Sequence, residues 1–248
     1  MTRLPWRLPA GCALAAAVIV VADANQTLFL AVNAAGGAFA PGFLMAVTLL
    51  GNVLAGVALI APALQKQPRL LWAALLAAVP ATLFVQGGKH LFAWPRPAAV
   101  LPPDSLQLVG PLLKAMSFPS GHTATAFVFA AVIVGLTHDR RWQAAALVVA
   151  IAVGLSRMLV GAHWPIDVLA GAGGGWLCGG LGVVWCRRLA WPDGRAAALA
   201  AGLLSLAAAV GLLLAEYALP AERAFGYVLA LPASYASWRL LRRYAAGQ

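Results

Sequence analysis

Lys89, Arg96 and Pro97 form one block of this chain. Pro119-Ser120-Gly121-His122 form a second, and Ser156-Arg157 with His163 and Asp167 a third. Together they gather a lysine, two arginines, two histidines and an aspartate within residues 89–167 of a sequence that otherwise avoids charge. Guanidinium groups grip phosphate oxygens through a planar fork, and an ammonium does so as a point charge. An imidazole can attack phosphorus or protonate a leaving oxygen. The residue types therefore point to phosphate chemistry.

Spacing refines this. Ser120 directly follows Pro119 and opens a long apolar run, so it is placed to cap a helix. First-turn N–H groups have no intrahelical partner, and with the helix dipole they make an anion site. Gly121 would let a ligand approach the backbone, and His122 would stand in the same first turn. Taken alone, this block reads equally well as plain capping beside an interfacial histidine. In the third block Pro165 suits a first helical turn, and Asp167 follows His163 by one turn. Its carboxylate can reach back to one imidazole nitrogen, fixing the tautomer and sharpening the other nitrogen as a nucleophile. Simple capping by Asp167 is the alternative, but a carboxylate at a membrane edge is costly and reads as functional. Lys89 is expected at a helix end and Arg96 in the loop after it. One snorkelling cation at an interface is ordinary; three on one side with two histidines are not. His90 and His138 fall outside the blocks and read as interfacial or solvated.

The elements that must position these groups are membrane helices. The chain of 248 residues is 62% hydrophobic and 10% charged, against roughly 25% charged in soluble domains. Apolar runs predict helices over 10–31, 43–64, 70–92, 121–137, 144–162, 164–186, 196–217 and 225–241. The expected fold is an all-α polytopic membrane bundle. It divides into a six-helix catalytic core over 1–186 and a C-terminal hairpin of two transmembrane helices over 187–248. The net charge of +10 sits in small clusters between apolar runs, a pattern of topology setting and anionic lipid contact rather than nucleic-acid binding. With the N-terminus inside, Arg3, Arg7, Lys66, Arg69, Arg140, Arg141, Arg187, Arg188, Arg195, Arg239, Arg242 and Arg243 fall on the cytoplasmic side. The three blocks then share the outer face, with Trp94 and Trp164 at the outer interface and Trp72, Trp142, Trp185 and Trp238 at the inner one. Ala22-Asp23-Ala24 after Arg3 and Arg7 also resembles a signal-cleavage site, but the apolar run continues through Leu28-Phe29-Leu30, so a retained helix is expected. Cys12, Cys178 and Cys186 read as small core residues, and the glycines of 171–182 as helix packing. Asp23, Asn25 and Asn52 read as helix-to-helix hydrogen-bonding groups. Glu216, Glu222 and Arg223 read as an interfacial loop, with a substrate role as the alternative.

The three blocks resemble the motifs of the type 2 phosphatidic acid phosphatase (PAP2) superfamily, which includes the vanadium haloperoxidases. Every specified position is present, within 89–167, and the family's six-helix core would cover about 10–186. The resemblance implies two-step phosphoryl transfer. His163 would attack phosphorus, Asp167 would orient it, and His122 would protonate the leaving oxygen. Lys89, Arg96, Ser120, Gly121 and Arg157 would hold the phosphate. It implies no metal and no cofactor, in keeping with the lack of a carboxylate cluster for magnesium in the sequence. The expected function is a bacterial plasma (inner) membrane lipid phosphatase, both termini cytoplasmic and the site at the outer or periplasmic face. The Ala- and Arg-rich composition favours undecaprenyl diphosphate as substrate. Phosphatidic acid, phosphatidylglycerol phosphate and a lipid A phosphate are the alternatives. The partners expected are the membrane lipid phosphate and no nucleic acid, with a homodimer admitted. A head-group transporter is the rival from another class, but transporters place ionisable groups near the midplane on broken helices. A vanadate-dependent oxidase fits the membrane architecture poorly.

Overall fold

Prolines and polar caps set where helices begin in a chain this apolar. The computed structural model describes residues 6–245; Arg3, used in the charge pattern, lies outside them. Among the described residues the helices are α1 (Arg7–Val21), α2 (Asn25–Ala35), α3 (Pro41–Leu49), α4 (Val53–Ile60), α5 (Arg69–Phe92), α6 (Pro97–Val100), α7 (Gly121–Leu136), α8 (Arg140–Leu159), α9 (Pro165–Arg188), α10 (Arg195–Leu214) and α11 (Pro220–Ala245). Pro41, Pro97 and Pro165 open α3, α6 and α9, where a missing N–H costs nothing. Asn52 and Asp139 accept the N–H groups of Leu54 and Arg141 at 2.8 Å, capping α4 and α8.

The membrane bundle expected from the sequence is the architecture found. Helices α5, α8, α9 and α10 are each long and apolar enough to cross a bilayer, and α1 with α2 and α3 with α4 qualify as bent pairs. Those pairs correct the sequence reading, which expected one straight helix over 10–31 and another over 43–64. The first bends by 109° and the second by 72°. At the first break Asp23 takes a left-handed conformation (φ 48°), and α2 turns across the end of the bundle. There Phe29 is buried edge-on against Trp164 at 5.0 Å. The Asn33 amide donates to the carbonyls of Gln107 and Met158 at 2.9 and 3.0 Å, and its oxygen takes the Gln107 N–H at 2.7 Å. Polar groups buried this way each add on the order of 1 kcal/mol and cost more if left unpaired. At the second break Gly51 packs so tightly that a Cβ there would lie 2.8 Å from the His122 Cβ.

Helix α9 is the centre, packed on α1, α5, α7 and α8. Its glycines do the packing expected of them. A Cβ at Gly171 would lie 2.6 Å from the Ser120 carbonyl, one at Gly175 2.8 Å from the Ala124 Cα, and one at Gly179 2.7 Å from the Val128 carbonyl. In lipid, helix association rests on such close approach, because the tails are as apolar as the side chains. The ladder fixes the first turn of α7 beside the first turn of α9. The hairpin α10–α11, joined internally by Ser205 and Ser237 at 2.7 Å, packs on α3 and α4.

The two ends differ in chemistry. One end holds the starts of α5, α8 and α10 and the finish of α9, with Arg69 bonded to Asp193 at 2.5 Å and Trp72 edge-on to Trp191 at 4.7 Å. The other holds the starts of α7 and α9 and the finish of α5 and α8, and all three motif blocks. Trp164 is not the interface anchor expected: it is buried, with Nε1 donating to the Pro95 carbonyl at 2.9 Å. Trp94 does stay exposed, beside Phe92 and Phe118.

Candidate active site

The start of α9 organises the site. Asp167 stands at the third helical position, and its Oδ2 accepts the Trp164 N–H at 2.9 Å. The same oxygen lies 3.3 Å from His163 Nδ1 and accepts from the Ser117 hydroxyl. Capping and orienting, alternatives in the sequence, are thus performed by one atom. Asp167 Oδ1 is buried without a hydrogen-bond partner among the described residues. Asn25 steadies the same turn, its Oδ1 taking the Ile166 N–H at 3.2 Å.

His163 sits in the connector between α8 and α9 and is 2% exposed. Its other nitrogen, Nε2, faces Arg96 Nη1 at 3.2 Å. A guanidinium only donates, so Nε2 must accept and the proton belongs on Nδ1, toward Asp167. Arg96 is pinned by its own donations, from Nε to the Ala115 carbonyl and from Nη1 to the Ala162 carbonyl, both 2.9 Å. Burial, then the charges of Arg157, Arg96 and Lys89, hold the His163 imidazole well below its ordinary range, so it is neutral near pH 7.

Arg157 ends α8, almost fully buried, with its Nε unpartnered among the described residues. Its carbonyl takes the N–H groups of Ala162 and His163 at 3.0 and 3.1 Å, so the backbone ties the cation to the imidazole. Ser156 bonds Thr48 of α3 at 2.9 Å. Ser120, fully buried, donates its N–H to the Asp167 carbonyl at 3.0 Å and caps α7, its hydroxyl accepting from Thr123 Oγ1 at 2.9 Å. Gly121 and His122 follow in the first turn. Lys89 occupies the last turn of α5. Gly88 beside it lets α5 touch the second block, since a Cβ there would lie 2.6 Å from Pro119 Cδ. All eight residues expected from the sequence are therefore at one end of the bundle, while His90 is exposed.

Two cavities meet at His122 and Asn52. One, of about 350 Å³, runs between α4, α5 and α7 from Lys89 and Gly121 to Leu71 and is lined mostly by apolar groups. The other, of about 260 Å³, reaches from His122 and Arg157 to the α10–α11 connector. The loop between Trp94 and Pro119 is tied in place. Arg96 and Lys114 bond through their backbones at 2.9 Å, Ser117 and Trp94 at 2.8 Å, and Val109 and Val160 at 3.2 Å.

Sequence reasoning missed Ser117. Its only signal was a hydroxyl just ahead of Pro119-Ser120, on the segment that the second block anchors. The helix-to-helix role expected of Asn25 holds, since its Oδ1 on α2 takes the Ile166 N–H of α9, whereas Asn52 instead caps its own helix α4.

The PAP2 superfamily profile matches residues 70–191. A lipid A 1-phosphatase of Rhizobium etli is 43% identical over 84 residues, 32% of this chain and 35% of that protein. A putative undecaprenyl-diphosphatase, YbjG, of Escherichia coli is 37% identical over 71 residues, 28% of this chain and 35% of that protein. The matches thus span about a third of these curated relatives. Among solved structures, Aquifex aeolicus LpxE superposes with a TM-score of 0.56 at 29% identity, covering 66% of this chain and 95% of that one. A transmembrane PAP2-type phosphatidylglycerolphosphate phosphatase from Bacillus subtilis superposes at 0.53 with 22% identity, covering 74% and 98%, and speaks for the fold alone.

Proposed function

Residues 70–191 of this chain are PAP2-superfamily sequence, and from that premise we propose that the protein is a membrane phosphatase of lipid phosphates working through a phosphohistidine. The observation that carries this is the two-sided hold on His163, with Asp167 at Nδ1 and a guanidinium at Nε2. Nε2 has the lone pair and faces the cationic group that a phosphate oxygen would take up.

In the first step Nε2 of His163 bonds to phosphorus as the bond to the leaving oxygen breaks. His122, protonated once the phosphate anion lies against it, gives that oxygen its proton. The imidazole becomes cationic at phosphorus, and Asp167 Oδ2 stabilises the charge through Nδ1–H. In the second step water attacks phosphorus, its proton passes to His122, the P–N bond breaks, and inorganic phosphate leaves with His163 neutral again. Arg96, Arg157 and Lys89 take the non-bridging oxygens. The unpartnered Arg157 Nε is a donor waiting for one. The Ser120 hydroxyl and the N–H groups of Gly121 and His122, at the α7 start, add neutral donors. Such catalysis is largely positioning and electrostatic stabilisation. The mechanism calls on no metal, and among the described residues no group of three or more His, Cys, Asp or Glu is placed to hold one.

The lipid's chain lies in the apolar cavity between α4, α5 and α7. From Lys89 to Leu71 that wall runs about 27 Å along α5, close to the depth of a bilayer core. Clustering of the ionisable groups at one end, rather than at mid-membrane, separates this reading from a transporter. The positive-inside bias supports an arginine-rich end toward the cytoplasm and a site at the outer face of a bacterial inner membrane.

The test is phosphate release from lipid phosphates by purified protein in detergent with excess chelator. Wild type should release phosphate and His163→Ala should fall at least a thousandfold. Equal rates in the two would end the proposal, and loss of wild-type activity in chelator would end its metal-free form.

A further inference from the structure

The two cavities at the site share His122 and Asn52 in their walls. His122 lies in the first turn of α7, and Asn52 stands at the bend between α3 and α4. The bend is held against the histidine. The Asn52 N–H donates to the Leu49 carbonyl at 2.8 Å, and a Cβ at neighbouring Gly51 would lie 2.8 Å from the His122 Cβ and 2.9 Å from its carbonyl oxygen. The Asn52 side chain is oriented as well. Its Oδ1 accepts the Leu54 N–H at 2.8 Å, a contact that only the oxygen of an amide can make. The two Nδ2 protons are left for another acceptor, and none among the described residues takes them. A half-buried amide donor and a half-buried imidazole thus share one junction.

We propose that Asn52 is a further catalytic residue, whose Nδ2–H donates to the bridging oxygen of the substrate while His122 protonates it. This rests on the phosphatase reading. A bridging oxygen bonded to carbon and phosphorus has two lone pairs. As Nε2 of His163 bonds to phosphorus, the P–O bond breaks and its electron pair stays on that oxygen. One lone pair takes the His122 proton. Until the transfer is complete the oxygen carries negative charge, and a fixed amide N–H on the other lone pair stabilises it. Lys89, Arg96 and Arg157 are assigned to the non-bridging oxygens, which leaves the bridging one to His122 and a neutral neighbour. A neutral amide adds no charge that would drive the proton off His122. The position also serves a leaving group in either compartment. Wherever the rest of that group lies, its oxygen must reach His122, and Asn52 stands there on both sides.

The experiment compares kcat/KM for hexadecyl phosphate and para-dodecylphenyl phosphate in wild type, Asn52→Asp and Asn52→Ser. Aspartate and serine cap helices about as well as asparagine, so both variants keep the α4 start, but neither puts an N–H at the junction. An alkoxide leaves poorly and needs both donors, whereas a phenoxide leaves readily. Both variants should lose about tenfold or more in kcat/KM on the alkyl phosphate and less than about threefold on the aryl one. Equal losses on the two probes, as a purely structural cap or a contact to a non-bridging oxygen would give, overturn the proposal while leaving the phosphatase intact. So does an alkyl rate unchanged in either variant. A wild type that releases phosphate from neither probe ends both.

Discussion

At the scale of single residues, the account turns on one imidazole with each nitrogen assigned a task. Ser117 tests the supporting carboxylate. Ser117→Ala removes a donor from Asp167 Oδ2, and a buried acceptor left short costs about 1–3 kcal/mol. The prediction is a fall in kcat of about tenfold or more with a much smaller change in KM, while the circular dichroism stays helical. A change confined to KM would mean that Ser117 binds substrate instead. The pH profile tests the nucleophile. The folded-state pKa of His163 is lowered by burial first, then by Arg157, Arg96 and Lys89. The imidazole is therefore active in its neutral form above that lowered value and lost only as pH falls through it. The acid limb of kcat/KM assigned to His163 should lie below the ordinary imidazole value of about 6.5. Arg96→Gln removes one of the three charges and should move that limb upward, and a downward move would contradict the assignment. The grouping was legible at this scale because only 10% of the chain is charged. Ser117 was not, because a lone serine carries no pattern until the fold brings it under Asp167.

At the scale of elements, the site is the meeting of the first turns of α7 and α9, and the glycine ladder sets their separation. Gly175→Val would drive a branched side chain into the Ala124 backbone, where even a Cβ lies 2.8 Å from Cα. Small residues that admit close backbone approach cannot be enlarged without moving the helices. The variant should lower the thermal midpoint in detergent by several degrees and abolish phosphate release, whereas Gly87→Ala, where no neighbour lies within 4 Å, should do neither. An active, stable Gly175→Val would remove the ladder from the explanation. Helix existence was readable from apolar runs, and the residues at helix starts from Pro119, Ser120 and Pro165. The bends at Ala22–Ala24 and Gly51–Asn52 were not readable, since hydrophobicity continues across both. What bends the chain there is tertiary: Phe29 and Asn33 find buried partners across the site end, and Gly51 lies on His122.

At the scale of the whole molecule, the bundle has one arginine-rich end and one end that gathers the three motif blocks, joined by an apolar cavity along α5. Asp104 lies exposed in the loop at the catalytic end. In intact cells Asp104→Cys should react with an impermeant thiol reagent, and labelling only after lysis would put the site on the cytoplasmic face. The separation of ends could be read from the charge pattern alone, but the share of the C-terminal hairpin in the active-site cavity could not. No spacing rule connects Glu222 to Arg157, and only packing of α10 and α11 on α3 and α4 brings them to one cavity. The central claim is the covalent intermediate on His163. Rapid mixing with a lipid carrying a labelled phosphate, quenching in base and mapping the peptide should find acid-labile, base-stable label on His163 at up to one per chain, absent in His163→Ala. Steady turnover with no label on His163 at any quench time, or label on a serine instead, would contradict the account.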